Sequence, residues 1–182
     1  TAYHESGHAL IAAVLKHTDT VHKISIISRG MALGYTWTRP EEDRHLHTKE
    51  KFEDEISQLL GGRIAEKMMF NQQSTGASND LQRATKCAHD MVTRYGMSDK
   101  IGPITFGDQE EAIFLGRNFN DRKSYSDKIA SIIDDEVERI VRGQEKRATA
   151  LLTKNKATLK KLALRLLQVE TIEQDEFEKL IS

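Results

Sequence analysis

Apolar residues recur three and four positions apart over most of this chain, and one early stretch changes to a different period. Ala9, Leu10, Ala12, Ala13, Val14 and Leu15 are dense enough to predict a largely buried helix running to about Lys16. The next two stretches, Val21–Ile27 and Ala32–Thr38, are rich in β-branched and aromatic residues. With Ser28-Arg29-Gly30 between them they predict a β-hairpin, ended by Arg39-Pro40-Glu41-Glu42-Asp43. Helical spacing returns from Thr48 to about Phe70, carried by Phe52, Ile56, Leu59, Leu60, Ile64 and Met68. Gly61-Gly62 in its middle costs roughly 1 kcal/mol per glycine relative to alanine, which predicts a close backbone approach to the first helix.

A further helix is expected from about Ser78 to Tyr95, with Leu81, Ala84, Ala88, Met91 and Val92 as its apolar face and Gly96 as its stop. Ile101–Phe106 reads as a short strand and Gly107–Asn120 as an exposed loop. A long helix starts near Ser124, where Ser124 and Asp127 have the spacing of a cap. It keeps its period through Ile129, Ile132, Ile133, Val137, Ile140 and Val141 and continues through Gly143 to Leu152. Two more follow, over about Ala157–Gln168 and Gln174–Ile181. The expected fold is mainly α with a small β-sheet, an α+β class. Residues 1–119 form a catalytic part, and residues 120–182 a helical bundle within the same domain.

Composition narrows the function. The chain has 182 residues, enough for one substantial domain. Its net charge of −1 supplies no basic field for nucleic acid. The basic residues within Arg142–Lys161 alternate with Glu, Ala and Leu as on a solvated helix face. A single cysteine, Cys87, excludes an internal disulfide and fits a reducing compartment. No apolar run approaches the roughly 20 residues that span a bilayer.

The chemistry begins in the first helix, at His4-Glu5-Ser6-Gly7-His8. This is an H-E-x-x-H pattern, and residues four apart share a helix face, so both imidazoles can converge on one metal ion. Glu5 stands beside the first of them, turned to act as a base on metal-activated water. The arrangement is that of a zincin-type hydrolase. The motif starts three residues from Thr1 with no leading turn, from which the chain is expected to be cut out of a longer protein.

A catalytic zinc usually takes a third protein ligand. A metzincin would need glycine and histidine three and six residues after His8, where Ile11 and Val14 stand. A thermolysin-like site would take a glutamate from a downstream helix, but the nearest acids, Glu41 to Asp43, fall in a loop. Two carboxylates remain open on the residues alone: Glu66 within a helix, and Asp80 where a polar turn meets a helix. His45 and His47, in a polar stretch, read as solvent-exposed, and His17, His22 and His89 are read in the same way.

H-E-S-G-H-A, R-G-M-A-L-G-Y-T, L-L-G-G-R-I-A-E, S-T-G-A-S-N-D-L-Q-R-A-T, Y-G-M-S-D-K-I-G-P and F-L-G-R occur here in one order. Together they resemble the peptidase domain of the FtsH family, membrane-anchored ATP-dependent zinc metalloproteases, and the resemblance covers essentially the whole chain. It implies one zinc ion per chain, with Asp80 completing the set His4, His8 and Asp80. Glu66, at the acidic position of its block, is then expected to orient a histidine ligand. Ser6 departs from the alanine or glycine often found inside the motif.

The resemblance further implies hydrolysis of unfolded or membrane-derived polypeptides delivered by an ATPase ring. ATP would be used only by a module outside this sequence, and membrane attachment would come from N-terminal segments also outside it. The expected assembly is a homo-hexamer, with the peptidase domain facing the cytoplasm or an organelle interior. Leu33, Gly34, Tyr35 and Thr36 lie on a strand edge that could align an extended substrate, or that could be purely structural. The competing reading is a non-catalytic zinc-containing oligomerisation module.

Overall fold

A computed structural model of the chain describes residues 1–28, 34–39, 46–106 and 125–182. Its first helix, α1, spans Ala2–Val14, and all but one of its first eleven residues are buried. Thr1 stands at the N-cap without a side-chain capping bond, and its carbonyl accepts the Glu5 N–H. The chain then forms β1 (Thr20–Ser25) and β2 (Tyr35–Arg39), an antiparallel pair with Ile24 opposite Thr36 and Ser25 opposite Tyr35. A register irregularity falls between Val21 and Lys23. Residues 29–33 between the two strands, Leu33 among them, lie outside the described residues.

α2 spans Lys49–Phe70. Thr48 caps it by accepting the Lys51 N–H, and Asn71 ends it in the left-handed region at φ 52°. A short 3₁₀ turn over Thr75–Ala77 leads directly into α3 (Ser78–Thr93). The strand expected over Ile101–Phe106 is absent. Gly102 sits at φ +83° beside Pro103, which has no N–H to donate, and the Phe106 N–H bonds back to the Thr93 carbonyl. Ile101, Ile104 and Thr105 are β-branched, but the chain turns where a strand would have to run straight. The loop expected over Gly107–Asn120 falls outside the described residues.

α4 (Asp127–Lys154) begins on a different cap from the one expected. Ser126 accepts the Ile129 N–H, while Ser124 is outside the described residues. The helix runs unbroken through Gly143. α5 (Lys156–Val169) follows and ends at Glu170, which adopts φ 61° and turns the chain back. The next three residues were not anticipated as a strand: β3 (Thr171–Glu173) pairs antiparallel with β1, Ile172 opposite Ile24. The sheet order is therefore β2-β1-β3, and α6 (Gln174–Ile181) closes the chain.

α1 is the hub of the fold. It packs most extensively on α2, then on α5 and β1, while α2 also carries α3 and α4. One continuous apolar cluster joins Ile11 of α1, Ile24 of β1, Ile56 of α2, Met91 of α3, Ile133 of α4 and Leu162 of α5. Full burial of each such side chain contributes about 1.5–3 kcal/mol. Polar links cross the same interfaces. Buried Asp54 on α2 accepts the His17 N–H and pairs with Arg147 of α4 at 2.7 Å. The buried Glu136 of α4 accepts from Ser98 at 2.7 Å and from Arg139, tying the segment after α3 to α4. Among the described residues no helix is long and apolar enough to cross a membrane.

Candidate active site

Three side chains from two helices converge on one point. His4 and His8 stand one turn apart on α1, and Asp80 projects from the first turn of α3. The two Nε2 atoms are 3.0 Å apart, and Asp80 Oδ2 lies 3.2 Å from one and 3.3 Å from the other. Ligands about 2.0–2.1 Å from a tetrahedral zinc stand about 3.3 Å from each other, so these separations match such a set closely.

The outer nitrogens decide what the inner ones can offer. His8 Nδ1 lies 2.8 Å from the Gln58 carbonyl, which can only accept, so Nδ1 carries the hydrogen and Nε2 a lone pair. His4 Nδ1 lies 2.8 Å from Glu66 Oε1, an acceptor again. Glu66 is in turn fixed by the Ser74 hydroxyl at 2.9 Å. With both rings oriented this way, two imidazole lone pairs and a carboxylate oxygen face one another. Such a set repels itself unless a shared positive charge, a proton or a metal ion, lies among the three.

The titration behaviour follows from that crowding. Burial pulls the His4 imidazolium down, but the Asp80 hydrogen bond, the Glu5 charge and the Glu66 hydrogen bond outweigh it, and its pKa lies above the ordinary histidine value. Burial pushes the Asp80 carboxyl up, yet its hydrogen bonds to His4 and His8 hold it far below the usual carboxylate range. For Glu66, burial is likewise outweighed by the Ser74 hydroxyl and His4, and the carboxyl lies below its ordinary value.

Glycines make the close approach possible. A Cβ on Gly62 would stand 2.5 Å from His8 Nε2 and 2.6 Å from His4 Nε2, so the rings occupy its place. Gly7 and Gly61 meet backbone to backbone, a Cβ on Gly7 falling 2.4 Å from the Gly61 carbonyl oxygen. The approach expected from Gly61-Gly62 is therefore to α1, at the level of the H-E-x-x-H motif. Ser6, on another face of α1, is fully buried and its hydroxyl has no hydrogen-bond partner among the described residues.

Matched as a whole, residues 1–180 fit the family model described as Peptidase family M41. The chain belongs to peptidase family M41. It is 48 % identical over 180 residues to an "ATP-dependent zinc metalloprotease FtsH 1" of Sphaerobacter thermophilus, covering 99 % of this chain and 28 % of that protein. It is 48 % identical over 181 residues to the "ATP-dependent zinc metalloprotease FtsH" of Bacillus subtilis, with the same coverage of 99 % and 28 %. The corresponding protein of Veillonella parvula is 51 % identical over 173 residues, 95 % of this chain and 27 % of that protein. The chain thus spans little more than a quarter of the length of these curated relatives.

In this M41 chain the site opens into a cleft of about 1250 Å³, lined among others by Glu5, Gly34, Tyr35, Thr36, Gln58 and Arg83. Glu5 is 7 % exposed and faces β2, where the Thr36 hydroxyl lies 2.9 Å from its Oε2. Among the described residues, His4, His8 and Asp80 are the one group of three His, Cys, Asp or Glu side chains placed so that they could hold a metal ion. Glu66 reaches His4 on the ring edge opposite Asp80. The other described histidines stand apart: His17 pairs with Asp54, His22 stacks near Trp37, and His89 contacts Thr93. His47 is exposed on the cleft rim, and His45 lies outside the described residues. Burial pushes the Cys87 thiol up to about 12, which disfavours the nucleophilic thiolate near neutral pH. Three contributors were not read from sequence: Gln58, Ser74 and the contact of Thr36 with Glu5. Ser74 had a signal, since serine before a T-G-A turn is a cap, and it does accept the Gly76 N–H.

Proposed function

We propose that this chain is a zinc-dependent endopeptidase domain, with His4, His8 and Asp80 holding one zinc ion and Glu5 acting as general base. The observation that carries the reading is the converging set of two imidazole lone pairs and one carboxylate oxygen, separated by 3.0 to 3.3 Å. Zinc bound there would supply Lewis-acid chemistry, polarising the scissile carbonyl and making water acidic enough to attack near neutral pH.

The rest of the work falls to the chain's own groups. Glu66 and the Gln58 carbonyl hold the rings so that both Nε2 atoms face inward, and Glu66 is itself held by Ser74. The Glu5 carboxylate takes the proton of the attacking water and passes it to the departing amine. β2 is the outer strand of its sheet and lines the cleft, so Gly34, Tyr35 and Thr36 would offer backbone groups to an extended polypeptide beside Glu5. A cleft of this size suits a loose polypeptide better than a small molecule.

The names of the relatives carry the wider proposal. Zinc and ATP dependence are printed for proteins more than three times as long as this chain. Together with the resemblance to the FtsH family, those names support a reading of the whole protein as a homo-hexamer in which an ATPase module would feed unfolded or membrane-derived polypeptides to this domain. Its membrane attachment would come from segments outside this sequence, with the peptidase domain facing the cytoplasm or an organelle interior.

Glu5→Gln tests the domain's chemistry. The variant should bind zinc in the same stoichiometry and lose at least about 100-fold in the hydrolysis of an unstructured polypeptide. Undiminished cleavage by Glu5→Gln, or a wild-type chain that binds zinc and cleaves nothing, would overturn the reading.

A further inference from the structure

Thr36 sits on β2, far in sequence from any residue of the metal set, yet it is the side chain that touches Glu5. Its Oγ1 lies 2.9 Å from Glu5 Oε2 and 3.1 Å from the Glu5 carbonyl oxygen. A threonine hydroxyl has one proton to donate, and the nearer, charged carboxylate oxygen is the stronger acceptor. Two residues earlier, a Cβ on Gly34 would stand 2.9 Å from Glu5 Oε1. Positions 34 and 36 project to the same side of an extended chain, so one side of this strand meets both carboxylate oxygens.

We propose that Thr36 is a positioning residue for the general base: its hydroxyl holds Oε2 of Glu5, and Gly34, lacking a side chain, leaves Oε1 the space to take the proton. The inference rests on the role given to Glu5 above and deepens it.

The physical need is clear. Glutamate has three rotatable bonds, and Glu5 opens onto a cleft of about 1250 Å³ in which it could swing away from the reacting water. Among the described residues Thr36 supplies its one side-chain hydrogen bond. Thr36 is itself well anchored, because its backbone pairs with Ile24 in the middle strand of the sheet, and Ile24 is fully buried. The base is therefore aligned from β2, the same strand that would align the substrate, and not from α2 and α3, which hold the proposed metal ligands' partners and Asp80.

The test compares Thr36→Val with Thr36→Ser in the full chain, alongside wild type and Glu5→Gln. Valine keeps the shape and the strand preference of threonine and deletes the hydroxyl; serine keeps the hydroxyl and deletes the methyl. For Thr36→Val, kcat on an unstructured polypeptide should fall roughly 10- to 100-fold with KM within about 2-fold. Bound zinc and the thermal midpoint should stay at wild-type values. Thr36→Ser should recover kcat to within about 3-fold of wild type.

The role of Thr36 is overturned by a Thr36→Val variant with unchanged kcat, by a rise in KM alone, or by equal losses in the valine and serine variants. A rise in KM alone would make Thr36 a substrate contact, and equal losses would make its methyl packing the cause. If wild type and Glu5→Gln are equally inactive, the general-base reading itself fails, and this inference fails with it.

Discussion

The seam between α1 and α2 and the middle of α4 both carry glycine inside a helix, where it costs roughly 1 kcal/mol relative to alanine. In the seam the backbones touch: a Cβ on Gly61 would lie 2.8 Å from the Gly7 carbonyl oxygen, and one on Gly7 2.8 Å from the Ala65 Cβ. Gly62, one residue further, lies under both imidazoles. In α4 a Cβ on Gly143 would meet nothing within 4 Å among the described residues. The first set exchanges helix propensity for an approach that no other residue permits, and that approach brings the rings of α1 within reach of Gln58 and Glu66. Gly143 gives up the same propensity with no contact in return. Two regions with the same local weakness therefore respond to one substitution with opposite signs.

Gly7→Ala should have the largest effect. Overpacking costs about 1–3 kcal/mol and occasionally more, and here the added methyl meets backbone, which cannot rotate away. The gain in helix propensity of roughly 1 kcal/mol offsets only part of that. A net loss of about 2 kcal/mol is expected by denaturant titration of the metal-free chain. A variant as stable as wild type would show that the seam can open without cost, and the contrast with α4 would collapse.

Gly62→Ala should separate site from fold. The new methyl meets the far ends of two side chains, which can rotate, so stability of the metal-free chain should change by less than about 1 kcal/mol. The rings can rotate only by leaving their convergence with Asp80. Zinc affinity, read by competition with a chelator, should therefore fall roughly 10- to 100-fold, or about 1.4–2.8 kcal/mol. An unchanged affinity would mean that the rings do not need their observed positions.

How much of this was readable beforehand differs between the same two regions. The apolar period located α2, α4, α5 and α6 to within a few residues, because each buries a long stripe against its neighbours. It also marked Gly61-Gly62 as a contact, since two adjacent glycines in a strong helical pattern need a reason. It could not say that His4 would meet Asp80 on one nitrogen and Glu66 on the other, because the two carboxylates come from separate helices. β3 escaped for a related reason. Three residues have no period, and what makes them a strand is the edge of β1, where Ile172 pairs with Ile24 after Glu170 turns the chain back. Ile101–Phe106 failed in the opposite way: its composition suits a strand, but Gly102 and Pro103 turn the backbone. Thr36 was legible as a strand residue and not as a partner of Glu5, because only the packing of β2 against α1 brings the two together.

Gly143→Ala should have the smallest effect and the opposite sign. Alanine restricts the unfolded chain and favours the helix, with no neighbour to displace, so a gain of about 0.5–1 kcal/mol is expected. Position 143 is exposed, while its neighbour Gln144 accepts from Ser57 at 2.9 Å and Arg147 pairs with Asp54. A Cβ at 143 reaches no described atom within 4 Å, so those links to α2 should persist, leaving zinc affinity and hydrolysis unchanged. Denaturant titration beside a zinc competition assay reads both. A loss of stability in the isolated chain would show that α4 needs local freedom at its middle. A gain in stability with a loss of hydrolysis would show that Gly143, like Gly7, is kept for a close approach, in this case to something outside the chain, and the two regions would then obey one rule.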